Sequence, residues 1–463
     1  MNLPEGFQEK YRTLLGSQSD AFLASFNAEP SKGFRINPAK QRAVLPLVDT
    51  SEPVPYVSGG YYGNVAGKSI VHTSGGVYSQ EPSAMYVGQT VAPQPGEMVL
   101  DLCAAPGGKS THIASQMANS GLLVANEINS KRAKILSENI ERFGLTNVVV
   151  TNNAPEQLAE KWPETFDRIL VDAPCSGEGI FRKDHEAVQY WHPNYAADCA
   201  ARQKTIVSQA VKMLKPGGTL IYSTCTFAPE EDEQIIAWIL KNYPEFRTLP
   251  IQKYPGMQSG QPQWADNNPM LNDTVRLWPH LLKGEGHFIA KLIKQSAQIT
   301  TAESAKTRKK KRRKSVRQAM LTKAETELLT DFIKQTFQTN PFTFTQIEIN
   351  DGHVHQRPNI QLDYEGIRIL RNGLNLGVFK KNRFEADHAL ALALTTSEFR
   401  QVFEVDEQQY QHYRHGEALA WIKATPQKQS KTFGLLTYQG LGFAIGKLVN
   451  QQLKNYYPKG LRD

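Results

Sequence analysis

The chain has 463 residues, enough for about three domains. Its composition is ordinary for a globular protein, 40% hydrophobic and 21% charged, which excludes a wholly disordered chain and supports a sizeable core. Lys and Arg number 53 against 45 Asp and Glu, so the net charge is +8, a balance that favours an anionic partner such as nucleic acid.

The four cysteines, Cys103, Cys175, Cys199 and Cys225, form no C-x-x-C pair. Neither a metal site nor a disulfide framework is expected, and reduced thiols in a cytoplasmic protein fit better. The start of the chain has no basic stretch followed by an apolar run, so no signal peptide is read there. No apolar stretch approaches ~20 residues, so no membrane span or membrane partner is expected.

Residues 1–95 are a short, Gly- and Pro-rich region of mixed character, closing on Gln80-Glu81-Pro82-Ser83, where Pro82 reads as a helix start. Residues 96–295 alternate strands and helices. Met98–Leu102, Leu122–Asn126, Val148–Thr151, Arg168–Val171 and Thr219–Ser223 are short apolar runs that read as buried parallel strands. Between them lie helical stretches at Lys109–Ala118, Ser130–Phe143, Asp198–Leu214 and Glu230–Lys241, the third stopped by Lys215-Pro216-Gly217-Gly218. This alternation predicts an α/β, doubly wound, Rossmann-like sheet, with His287–Ile293 as a further strand closing it. Residues 296–323 form a linker, in which 306–317 hold nine basic residues in twelve, a phosphate-binding run or a solvated tether. Residues 324–463 read as an α+β module: a helix at Ala324–Gln338, then strands at Ile367–Leu370, Leu374–Phe379, Gly434–Tyr438 and Phe443–Ile445.

The chemistry concentrates at predicted strand ends. After the first strand comes Cys103-Ala104-Ala105-Pro106-Gly107-Gly108-Lys109, then a helix. Small residues let the backbone approach a ligand, and the helix start supplies amide donors. The G-x-G-x-x-G pattern is absent, which argues for a nucleoside with a carboxylate end rather than a pyrophosphate. Glu127, 19 positions after Gly108 at the end of the second strand, stands where an acid meets ribose hydroxyls. Asp172 ends the fourth strand ahead of Ala173-Pro174-Cys175, and Ser223-Thr224-Cys225 ends the fifth. Two thiols and an acid at neighbouring strand ends point to covalent catalysis on a poorly reactive carbon. Cys199, inside a helix, reads as core.

These motifs resemble those of the Nol/Nop/Sun family of S-adenosylmethionine-dependent RNA cytosine-5 methyltransferases. The match runs through Asp101–Lys109, Asp172–Gly177, Tyr222–Thr226, Arg276–His280 and Gly284–Phe288. The order of regions is most similar to the RsmF type, which carries a small N-terminal RNA-binding part and a C-terminal PUA-like module. The first 95 residues are too few for the long helical NusB-like domain of the RsmB type. The resemblance implies S-adenosylmethionine as cofactor and 16S rRNA or the small ribosomal subunit as partner of a monomer. It implies Cys225 as nucleophile at cytosine carbon 6, Cys175 in product release, and residues 103–109 and Glu127 against the cofactor. Asp172 is the candidate acid at the base and also borders the cofactor. Where the family often has an acid after the third strand for the adenine amino group, this chain has Asn152-Asn153, and Asn153 is the substitute acceptor. The base that removes the carbon-5 proton is not identified.

For the target base, Phe181, Tyr190, Trp191 and Phe227 read as core more readily than as stacking platforms. Arg182 and Lys183, after an exposed-looking Gly177-Glu178-Gly179 turn, read as phosphate contacts, and Lys380, Lys381 and Arg383 around Phe379 and Phe384 read as an RNA contact or a solvated strand edge. Three other functions stand beside this one. A tRNA or 23S rRNA cytosine methyltransferase differs in substrate alone. A DNA cytosine methyltransferase attacks with the Pro-Cys thiol and needs no Ser-Thr-Cys partner. A non-catalytic RNA-binding assembly factor would have no use for intact Asp172, Cys175 and Cys225.

Overall fold

The computed structural model describes residues 1–184, 186–296, 321–350, 352–360, 362–421 and 432–462. The basic run at 306–317 lies outside them. The described chain forms two compact units, one of Met1–Gln295 with Pro358–Arg371, the other of Ser296–Arg357 with Asn372–Asp463.

The first unit is built on a ten-stranded sheet. Its centre is parallel and runs Leu214–Thr224, Phe166–Asp172, Met98–Asp101, Leu122–Asn126, Val148–Thr151. The chain order reverses on either side of Met98–Asp101, so the crevice at its carboxyl end is the topological switch point, where open α/β sheets bind ligands. These strands are almost wholly buried, as β-branched runs covered by helices on both faces require. Helices Gly108–Gln116, Ser130–Arg142, Pro155–Lys161, Tyr195–Met213 and Glu233–Asn242 supply those faces. One core gathers Leu100, Val149, Ile169, Leu220 and Phe288 on one side of the sheet, and another gathers Val99, Leu123, Val150, Ile221 and Ile289 on the other.

Two strand readings are corrected. His287–Lys294 does not close the sheet: it pairs antiparallel with Leu214–Thr224, and Val275–Leu277 and Met257–Ser259 add beyond it. At the opposite edge, Ile369–Asn372 lies beside Val148–Thr151. The strand read at Ile367–Leu370 thus belongs to the large sheet of the first unit and not to the C-terminal module. Its apolar alternation is satisfied equally well by either core, and local pattern carries no information on which one takes it.

The N-terminal region packs within the same unit. Strands Gly60–Tyr62, Gly33–Ile36 and Val77–Ser79 form a small antiparallel sheet. Helices Glu5–Leu15 and Ser19–Ser25 bury Phe7, Tyr11 and Phe22, with Phe26 just after the second, against Phe181, Phe227 and Trp278. Helix Pro82–Val91 begins where Pro82 predicts, with the Glu81 carboxylate accepting from the Ser83 and Ala84 amides at 2.9 and 2.6 Å.

The second unit opens with helix Lys323–Thr336, started by a Thr322/Glu325 capping box. It holds a four-stranded antiparallel sheet containing Leu374–Lys380 and a five-stranded sheet around Thr432–Tyr438 and Leu441–Val449. Leu329, Phe332, Leu374, Leu376, Leu435 and Ile445 share its core. Among the described residues, no helix is long and apolar enough to cross a membrane.

Candidate active site

The parallel strands bring Asp101, Asn126, Thr151, Asp172 and Thr224 to one edge of the sheet. The loop after Asp101 is held from three sides. Ala104 N–H donates to the Asn126 carbonyl at 2.8 Å, Arg132 donates to the Ala105 carbonyl at 2.8 Å, and Asn139 donates to the Pro106 carbonyl at 2.9 Å. Gly107 sits at φ +113° and turns the chain into helix Gly108–Gln116, a conformation glycine adopts without strain. A Cβ on Gly108 would stand 3.1 Å from Gln80 Nε2 and 3.2 Å from the Tyr78 ring. Arg35, buried on strand Gly33–Ile36, donates to the Gly108 carbonyl at 2.7 Å, to Thr111 Oγ1 at 2.9 Å and to Gln80 Oε1 at 2.9 Å. Burial lowers its guanidinium to about 9, against a small opposing effect of Tyr78.

The donor set fits an aminoacyl nucleoside. Asp101 Oδ2 accepts from Ser110 Oγ at 2.6 Å, while its buried Oδ1 has no hydrogen-bond partner among the described residues. Burial pushes this carboxyl up to about 7, with Asp172 adding and Ser110 opposing. Glu127 is buried, accepts from the Asn129 amide at 2.8 Å and lies 3.4 Å from Arg132. Cys103 packs against the core behind the loop, and burial raises its thiol pKa. Asn153 is differently engaged from the reading as adenine acceptor: its amide donates to the Arg368 carbonyl at 3.0 Å and accepts from the Arg368 N–H at 3.1 Å.

The two thiols meet. Cys175 Sγ and Cys225 Sγ are 3.3 Å apart, each half-buried. The residues that follow them are also joined, with Ser176 Oγ 2.7 Å from Thr226 Oγ1. Ser176 further bonds Glu231, by its amide at 2.9 Å and by its hydroxyl, and Gln203 donates to the same carboxylate at 2.8 Å. Burial pushes Glu231 up to about 7 in spite of those donors. The hydrogen bond with Cys225, then burial, raise the Cys175 thiol well above its ordinary value, so Cys175 keeps its proton. Beside them Asp172 accepts from Lys109 Nζ at 2.7 Å and from Ser223 Oγ at 2.7 Å. Burial alone would lower the Lys109 ammonium, but Asp172 outweighs it and the pKa rises. Lys109, expected against the cofactor, thus turns to the acid. Cys199 is core, as expected.

The turn after Cys175 is buried, contrary to the exposed reading of Gly177-Glu178-Gly179. Glu178 accepts from the Tyr11 hydroxyl, from Trp191 Nε1 at 3.0 Å and from Thr226 Oγ1 at 3.0 Å, so an N-terminal helix is anchored at the thiol loops. A Cβ on Gly179 would lie 2.8 Å from the Cys225 carbonyl, hence glycine there. Arg182 is also no phosphate contact: it is buried and bonds Glu285 at 2.8 Å. Lys183 is exposed, as is Tyr190, whereas Phe181 and Phe227 are core. In the second unit Lys380 and Lys381 are exposed, Arg383 pairs with Glu385 and Phe384 is buried.

Sequence reasoning assigned no role to Arg35, Glu178, Glu231 or Arg276. Arg276 is buried between Trp264, Trp278 and Phe288, donates to Glu233 Oε1 at 2.7 Å and to the Phe227 carbonyl at 3.0 Å, and is ion-paired with Asp232 Oδ2 at 3.0 Å without a hydrogen bond to that oxygen. The acidic run Glu230–Glu233 right after Cys225 was the available signal for it, since several acids in a core-facing stretch need a cation. Among the described residues no cluster of His, Cys, Asp and Glu suits a metal.

Comparisons with known proteins cover every region. Residues 3–82 match the N-terminal domain of 16S rRNA methyltransferase RsmF, and residues 88–293 match 16S rRNA methyltransferase RsmB/F. Residues 331–394 match the RsmF rRNA methyltransferase first C-terminal domain, and residues 400–463 the methyltransferase RsmF PUA domain. Ribosomal RNA small subunit methyltransferase F of Vibrio vulnificus (strain YJ016) is 30% identical, the alignment spanning 99% of this chain and 97% of that protein. The protein of the same name in Klebsiella pneumoniae (strain 342) is 31% identical over 99% and 96%. A methyltransferase homolog protein from Pyrococcus horikoshii shares the fold at a TM-score of 0.54 and 29% identity, over 62% of this chain and 93% of that one. NSun6 from Pyrococcus horikoshii, solved with the S-adenosylmethionine analogue SFG, shares the fold at a TM-score of 0.55 and 20% identity, over 63% and 98%. By these alignments the chain belongs to the RsmF family of 16S rRNA methyltransferases, whose cofactor is S-adenosylmethionine.

Proposed function

We propose that this protein methylates carbon 5 of a cytosine in 16S rRNA through a covalent adduct between Cys225 and carbon 6. The observation that carries the reading is the pair of thiols 3.3 Å apart beside an acid already joined to a lysine. Carbon 5 of cytosine is too weak a nucleophile unaided. A Cys225 thiolate, the reactive form of a thiol, adds to carbon 6; the π pair moves through the ring, and nitrogen 3 takes a proton from the Asp172–Lys109 pair. The carbon-5 pair of this enamine is the nucleophile, and S-adenosylmethionine supplies an electrophilic methyl group. Loss of the carbon-5 proton restores the 5,6 double bond and expels the Cys225 sulfur. Cys175 serves both ends of that step: its S–H proton passes to the departing sulfur, and the carbon-5 proton replaces it. Nitrogen 3 returns its proton to the Asp172–Lys109 pair.

Residues 103–108 would cradle the cofactor, with Glu127 toward its ribose hydroxyls and Asp172 at its border. The base must be presented out of a stack, so a single-stranded or flipped target is implied.

The test incubates the protein with methyl-labelled S-adenosylmethionine and, separately, small subunits, naked 16S rRNA, 23S rRNA and tRNA. Label at cytosine carbon 5 in 16S rRNA is expected. Label at another atom, or in another RNA alone, refutes the proposal. Cys225→Ala must abolish transfer, and Cys175→Ala must accumulate a denaturation-resistant protein–RNA adduct; normal turnover by either refutes its role.

A further inference from the structure

The first unit contains a segment that arrives from the C-terminal half of the chain. Pro358–Arg371 belongs to it, although the residues on both sides belong to the second unit. Ile360, Leu362, Tyr364, Ile367 and Ile369 pack against one core of the sheet and Leu370 against the other. Trp162 Nε1 donates to the Asp363 carbonyl at 3.0 Å, Lys161 pairs with Asp363 at 2.7 Å, and Arg371 pairs with Glu141.

The contacts of Arg368 matter most. Its side chain is exposed, but its backbone takes up both ends of the Asn153 amide, and its carbonyl also accepts from the Asn152 N–H at 3.0 Å. Asn152 in turn donates its side-chain amide to the carbonyls of Glu127 and Ile128, at 2.7 and 2.9 Å. Asn126 joins the same network, donating to the Leu102 carbonyl at 3.3 Å and the Asn153 carbonyl at 3.0 Å. The loops after three successive strands are therefore cross-tied at the ligand edge, and the outermost tie is a backbone from a distant part of the chain.

We propose that Pro358–Arg371 is a working part of the cofactor site: it holds Asn152 and Asn153, which fix the Glu127 turn, and so sets the affinity for the nucleoside end of S-adenosylmethionine. The inference rests on the placing of Glu127 at the ribose, but not on the cytosine chemistry. Asn153 is then a positioning residue that acts through backbone geometry.

The test uses the full chain, without RNA, and measures the Kd for S-adenosylmethionine by calorimetry. Arg368→Pro removes the N–H given to Asn153; Arg368→Ala removes only the exposed side chain; Asn153→Ala removes the fastener. Arg368→Pro and Asn153→Ala are expected to raise Kd roughly tenfold, the effect of losing hydrogen bonds of ordinary strength, and Arg368→Ala to leave it within about twofold. In a Glu127→Gln background, Arg368→Pro should add less than about twofold, because both changes disable one contact. Unchanged Kd in both Arg368→Pro and Asn153→Ala overturns the proposal, as does an equal effect of Arg368→Pro in both backgrounds. Unchanged Kd in Glu127→Gln alone instead refutes the ribose assignment.

Discussion

Lys109→Met is the sharpest probe of the acid. The ammonium stands 2.7 Å from Asp172, and the two side chains are 15% and 25% exposed. At an effective dielectric of ~20 the attraction is about 6 kcal/mol. Desolvation of both groups takes back more than half, leaving about 2–3 kcal/mol, the usual range for a charge-assisted hydrogen bond. If that pair delivers the nitrogen-3 proton, the loss appears in the chemical step. At 1.36 kcal/mol per tenfold, kcat falls roughly 30- to 150-fold, within the span of general-acid effects. The raised Lys109 pKa means its proton is retained through the neutral range, so the pH profile of kcat should show no limb from Lys109 there. The assay is single-turnover transfer of labelled methyl to 16S rRNA, beside calorimetric Kd for S-adenosylmethionine. The expected result is a lower rate with Kd within about threefold, and partial rescue by Lys109→Arg. A rate within threefold of the parent, or a loss confined to Kd, would refute the proton role and return Lys109 to the cofactor.

Glu81 is held down at about 2: burial pushes it up, but His287, 3.3 Å away, and the amides around it prevail. The unfolded chain binds its proton more readily, so this stability is present above about pH 4.5 and is lost as pH falls toward 2, on the order of 3 kcal/mol in all. Thermal melting should separate the parent from Glu81→Gln at pH 6 and bring them together near pH 2.5; a constant gap would contradict the linkage. Thr226→Val removes the hydroxyl tie between the thiol loops and should lower kcat about tenfold with Kd for S-adenosylmethionine unchanged, a weaker cofactor being the contrary result. Arg276→Met strands Asp232 and Glu233 in the core and should destabilise the sheet unit by about 3–5 kcal/mol; a melting midpoint equal to the parent's would show that the triad is not needed. Mild oxidation should join Cys175 and Cys225, their sulfurs needing to close about 1 Å, and abolish transfer until thiol reductant is added. Mass spectrometry of unreduced peptides checks this, and activity that survives a quantitative disulfide would sink the two-thiol reading.

Much of the site was legible in the chain. Parallel strands must be buried on both faces, so Leu122–Asn126 and Val148–Thr151 announce themselves as apolar runs, and their ends carry Glu127 and Asn152-Asn153. Asp172, Cys175 and Cys225 were readable for the same reason: each follows a strand, and strand ends in one sheet face one edge. The helix starts at Pro82 and Gly108 were equally local, fixed by a proline and a glycine pair.

What tertiary structure alone decided was partnership. Glu178 sits in a Gly-flanked turn that looks solvated, and only packing of Tyr11 and Trp191 around it makes it a buried anchor. Lys109 could have faced the cofactor or the acid, and a flexible four-carbon stem leaves that choice to the fold. Ile369–Asn372 carries a strand pattern valid for either unit, and the exposed Arg368 gives no side-chain sign that its backbone fastens a sheet more than two hundred residues away. By itself the sequence determined the elements, the ligand edge and the residues capable of chemistry, because those follow from local periodicity and residue type. Which groups touch, and therefore which hold protons and which merely hold each other, follows from long-range packing that no local pattern encodes.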